Sequence, residues 1–134
     1  MPPTKEKAAD FDAVFAGLRS ILAPYERTLV AHRDNPDYYY LVAKAALYKG
    51  RPVFFAAVRK GKGYVSFHLM PVYAYPALRK GISPALRKRM QGKACFNFTV
   101  VDEELFEELR RLTAEGAEGF PEKMLRGASG AKCE

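Results

Sequence analysis

Between Tyr38 and Val101 the chain has no aspartate or glutamate, although twelve lysines and arginines fall in the same stretch. That absence excludes a carboxylate pair for acid–base chemistry, and a hard-oxygen metal site, from the middle of the protein. Histidine is nearly as scarce. With only His32 and His68, a metal site would have to gather ligands from distant strands, so no metal ligand is predicted. The two cysteines, Cys95 and Cys133, have no metal-type spacing and no disulfide framework; Cys95 reads as a small packed residue and Cys133 as a loose thiol. No Gly-rich phosphate loop follows a strand, and no nucleophile-elbow pattern occurs. The expectation is therefore a protein that is not an enzyme, with no catalytic residue and no cofactor. No apolar run approaches the roughly 20 residues that span a bilayer. The start, "MPPTKEKAAD", lacks the apolar centre of a secretory signal. A cytoplasmic protein with no membrane association is expected.

What is present suits one packed domain. The 134 residues are 49% hydrophobic and 13% aromatic, enough for a single core but not for two independent ones. "DFDAVFAGLRSILAPYER" places Phe11, Val14, Phe15, Leu18, Ile21 and Leu22 at helical spacing with Asp10 or Asp12 near the start, and Pro24 ends or bends the helix. "TLVAHR" and "YYYLVAK" read as strands around the turn signal "DNPD". "RPVFFAAVRK" and "GYVSFHLMPVY", joined by Gly61, Lys62 and Gly63, form the clearest hairpin. Two short helical turns follow, begun at Pro76 and at Ser83–Pro84. "KACFNFTVV" returns as a strand, and Asp102 caps a last helix with Leu105, Phe106, Leu109 and Leu112 on its buried stripe. This order does not alternate strand and helix. It predicts an α+β fold: an antiparallel sheet of about five strands, N- and C-terminal helices on one face, and a short helical pair before the last strand. The single domain covers residues 10–116, with 1–9 a flexible N-terminus and 117–134 a loose tail.

The formal net charge is +7, and its layout makes the sheet and the helical pair electropositive while the terminal helices carry the carboxylates. Such a surface attracts an anion: a phosphate, a carboxylate, a nucleic-acid backbone or an acidic partner. Nucleic acid is disfavoured, because no known binding motif accompanies the charge. The three tyrosines 38–40 do not make one stacking platform, since neighbouring strand residues face opposite ways.

The helix, the hairpin "GRPVFFAAVRKGKGYVSFHLM", the helical pair, and "GKACFNFTVVDEELFEELRRL" as strand into helix together resemble the YdhG-like family of small uncharacterised bacterial domains. The resemblance covers roughly residues 10–116 and carries no catalytic signature; the family's usual basic and aromatic strand ending is replaced here by "CFNF". It implies a frataxin-like architecture. One branch of that family is assigned an iron-chaperone role, for which only Glu103, Glu104, Glu107 and Glu108 offer carboxylates here.

The strand "GYVSFHLM" alternates Val65, Phe67 and Leu69 with Tyr64, Ser66 and His68. The second set, joined by Asn97 from the last strand, is the candidate ligand-binding face, with Arg79, Arg87 and Lys93 overhanging it as the source of positive charge. The leading expectation is a non-enzymatic binding module for a small anionic or polar ligand. The alternative is a protein-interaction or self-association domain, such as a homodimer, followed by an iron chaperone.

Overall fold

In a computed structural model that describes residues 10–48 and 50–120, the carboxylate of Asp10 accepts from the backbone N–H of Ala13 and opens helix α1, Phe11–Leu22. Its buried stripe is Val14, Phe15, Leu18, Ile21 and Leu22, the spacing of one helical face. Pro24 sits in the first turn of a 3-10 segment, Ala23–Arg27, which turns the chain into the sheet. Strands β1 (Leu29–Asn35), β2 (Tyr38–Tyr48), β3 (Arg51–Lys60) and β4 (Val65–Leu69) form an antiparallel meander. The Gly61–Gly63 hairpin closes with the Gly61 N–H donating to the Tyr64 carbonyl at 2.9 Å.

The strand reading of "GYVSFHLMPVY" runs too far. β4 ends at Leu69, and Met70–Ala74 forms a helical turn, α2. Pro71 accounts for this, since it donates no ladder hydrogen bond and its fixed φ suits a first helical turn. The expected helical pair follows as α3 (Pro76–Lys80) and α4 (Pro84–Arg87), the latter capped by the Ser83 hydroxyl accepting from the Leu86 N–H. A two-residue strand, β5 (Met90–Gln91), precedes β6 (Cys95–Phe98), and Asp102 caps α5 (Glu103–Ala117) by accepting from the Leu105 N–H. The result is an α+β fold whose six-stranded antiparallel sheet runs β1-β2-β3-β4-β6-β5, one short strand beyond the expected five.

Both long helices lie on one face of the sheet. α1 crosses β3 and packs on α5, and between them sit Tyr39, Leu41, Val58, Val65, Phe67, Leu69, Phe96 and Phe98, all buried. Each fully buried Leu or Phe contributes about 1.5–3 kcal/mol, so this single layer accounts for most of the hydrophobic stabilisation. A polar clamp closes its β1–β2 end. Tyr39 donates its hydroxyl to Glu26, and Arg19 lies 4.2 Å over the Tyr39 ring while holding Asp34 through both carboxylate oxygens at 2.9 and 3.1 Å. At the helical pair, Glu108 of α5 accepts from the Ser83 N–H and hydroxyl at 2.8 and 2.7 Å.

Residues 1–9 and 121–134, expected to be a flexible start and a loose tail, lie outside the described residues. Residues 117–120 complete the helix end and bring the Phe120 ring to 4.9 Å from Phe55. Cys95 is buried, as its reading as a small packed residue expects; Cys133 lies outside the described residues. Among the described residues no helix is long and apolar enough to cross a membrane.

One close approach is specific enough to test. A Cβ at Gly116 on α5 would lie 2.7 Å from Cβ and 3.0 Å from Cγ of Pro71, a ring tied to its own backbone. Gly116→Ala should therefore lower unfolding free energy by about 1–3 kcal/mol through overpacking, although alanine in an open helix gains about 1 kcal/mol over glycine. Urea titration measures the difference, and a variant as stable as the wild type would show that α5 shifts freely.

Candidate functional site

Alternation along the strands decides which side chains face away from α1 and α5. β3 and β4 pair Ala57 with His68 and Arg59 with Ser66; β2 and β3 pair Tyr40 with Ala57 and Tyr38 with Arg59; β4 and β6 pair Ser66 with Asn97 and His68 with Cys95. The outer face therefore gathers Tyr38, Tyr40, Ala57, Arg59, Ser66, His68 and Asn97.

Ala57 is the small residue in this set, and its methyl forms the floor of a depression between larger neighbours. A cleft of about 970 Å³ opens over it, lined by Tyr38, Arg59, Lys62, Tyr64, Ser66 and His68 among others, within the size range of small-molecule sites. Polar atoms are organised along one wall. The Ser66 hydroxyl donates to Asn97 Oδ1 at 2.8 Å, and Asn97 Nδ2 donates to Gln91 Oε1 at 2.7 Å. The relay spans β4, β6 and β5 and leaves the Ser66 oxygen its acceptor capacity.

His68 sits at the end of this cleft with its ring edge-on to Phe54, centroids 4.8 Å apart. Its Nε2 is shielded from solvent and has no hydrogen-bond partner among the described residues. Burial lowers its pKa to about 4, so the ring is neutral at pH 7 and acts there as a hydrogen-bonding group without charge. From Phe54 a row of rings continues to Tyr40 at 4.7 Å and from Tyr40 to His32 at 6.4 Å. Burial raises the Tyr40 pKa, which keeps that phenol neutral. Two guanidiniums flank Tyr38, Arg33 at 5.5 Å and Arg59 at 5.7 Å from its ring centroid.

The charge supply differs from the expected one. Tyr64, Ser66 and His68 line the cleft and Asn97 is bonded to it through Ser66, but Arg79, Arg87 and Lys93 do not line it. Arg79 donates to the carbonyls of Val72 and Tyr73, and Arg87 to those of Arg79 and Ile82 at 3.0 and 3.1 Å. Helices this short leave their last carbonyls open, and these arginines close them. Lys93 reaches toward the Tyr73 ring at 5.8 Å. The cations at the cleft are Arg59 and Lys62, with Lys60 held at its margin by Asp12 and by Asp37 at 3.2 Å. Those two carboxylates raise the Lys60 pKa through hydrogen bonds. Arg59 was legible in the hairpin: counting back from Gly61–Gly63 sets it opposite Ser66.

Among the described residues no group of three or more His, Cys, Asp or Glu side chains converges to hold a metal ion. Comparisons of the chain with known protein families, with curated proteins and with solved structures return no match.

Proposed function

We propose that the protein is a non-enzymatic binding module that takes a small anionic or polar ligand in the cleft over Ala57. The observation that carries this reading is the buried, unpartnered Nε2 of His68 in a cleft made positive by Arg59 and Lys62. A buried polar atom without a partner costs about 1–3 kcal/mol, and a ligand that reached it would recover that cost on binding. Arg59 and Lys62 supply charge, the Ser66–Asn97–Gln91 relay fixes a polar contact, and the Tyr38 and Tyr64 rings give apolar walls. Helix, antiparallel sheet and helix in that order support kinship with YdhG-like domains of frataxin-like architecture, and a cytoplasmic location belongs to the same proposal.

Ala57→Leu tests it by filling the floor. The added carbons enter open cleft, so stability should stay within about 1 kcal/mol of wild type. Native mass spectrometry of the wild type purified from cells should show a small added mass that the variant lacks. A bare wild-type monomer would contradict the reading, and a bare dimer would favour self-association through this face.

A further inference from the structure

The cleft over Ala57 does not end at Tyr38. A second cleft of about 640 Å³, lined by His32, Arg33, Asp34, Asn35, Tyr38 and Tyr40, adjoins it at that residue. Tyr38 lines both. The track so formed crosses β1 to β4, three strand spacings or about 14 Å, which exceeds the length of one small anion.

Its charges are uncommitted. Arg33, Arg59 and Lys62 form no ion pair among the described residues, whereas the nearby acids are engaged, Asp34 with Arg19 and Asp37 with Lys60. Its rings are spaced between those charges. Tyr64, 41% exposed, belongs to no ring pair among the described residues; Tyr38 lies near two guanidiniums; and exposed His32 ends the aromatic row. Alternating cations and rings on an antiparallel sheet match a chain that alternates phosphates with planar bases. Stacking on such rings tolerates any base, and a four-stranded sheet accommodates two or three of them.

The geometry points to single-stranded nucleic acid as the ligand of this face. Phosphates lie against Arg33, Arg59 and Lys62, and bases against Tyr64, Tyr38 and His32. The inference rests on the same binding face as the proposed function and widens its ligand from one small anion to a chain of phosphates and bases. A duplex hides its base faces and would use only the charges.

Fluorescence anisotropy with a labelled ten-residue oligouridylate tests it. Three phosphate contacts give a log–log salt slope of about −2, hence about 20-fold weaker binding at 200 mM than at 50 mM salt. Arg33→Gln with Arg59→Gln should flatten that slope to about −0.7, or about threefold over the same range. Tyr64→Ala should weaken binding about tenfold without changing the slope. All three positions are exposed, so the variants keep the fold, which thermal melting verifies. Equal affinity for a duplex of the same length, or for a polyglutamate peptide, overturns the inference in favour of charge alone or an acidic protein partner. An unchanged slope in the double variant also overturns it. Absence of oligonucleotide binding in protein that still carries a small adduct defeats this inference and leaves the small-ligand reading standing; absence of both defeats both.

Discussion

Acidification from pH 7 to pH 4 removes about 3 kcal/mol of stability through His68 alone, because its pKa is lowered by about 2.5 units and each unit is worth 1.36 kcal/mol. In the unfolded chain the imidazole takes up a proton near pH 6.5, while the folded protein resists protonation until about pH 4. The unfolded state therefore binds more protons across that window. The contribution is intact above pH 6.5, declines as pH falls, and is lost by about pH 4. The comparison is with His68→Gln, which keeps a neutral polar group at this position and changes no other side chain. Urea titrations at pH 7, 5.5 and 4 should show the wild type losing its margin faster than the variant. Parallel curves would mean that the ring is hydrated in solution.

Phe106→Ala should cost about 3–5 kcal/mol, the range for deleting a buried aromatic ring. Phe106 is 2% exposed and stands edge-on to Phe98 with centroids 5.1 Å apart. Its ring also fills the space that Gly17 of α1 leaves open: a Cβ there would lie 2.9 Å from Phe106 Cε2. One side chain thus joins α5, α1 and β6, and its removal leaves a cavity that two helices and a sheet close only in part. Chemical denaturation measures the loss. A cost below about 1 kcal/mol would indicate that α1 collapses onto α5, in conflict with the rigidity expected of a close-packed interior.

The helices and the central hairpin were legible because their signals are local. Asp10 and Asp102 sit where capping side chains belong, and the apolar spacing of α1 and α5 matches the buried stripes. Period-two alternation likewise assigned Ser66, His68 and Asn97 to one face before any register was known. Long-range pairing was not legible. The sequence splits the tyrosine triplet between faces; Tyr38 and Tyr40 do flank Tyr39, yet that same alternation sets both on the outer face, with Arg59 and Ala57 supplied by β3. Nor does sequence alone reveal that Arg79 and Arg87 turn back to carbonyls that precede their own helices, Val72 and Tyr73 for Arg79 and Arg79 and Ile82 for Arg87. A basic residue on a short helix satisfies the nearest open carbonyls before it reaches a distant sheet face. The β5 strand escaped because two residues carry no periodicity.

The central claim is that binding occurs on the face turned away from α1 and α5. Backbone amide chemical-shift mapping tests it most directly, with inorganic pyrophosphate and oligouridylate as separate probes. The account predicts perturbations confined to Tyr38, Ala57, Arg59, Lys62, Tyr64, Ser66, His68 and Asn97, extending to His32 and Arg33 with the oligonucleotide alone. Shifts centred instead on Arg79, Arg87 and the α3–α4 turns, or none with either probe, would contradict it.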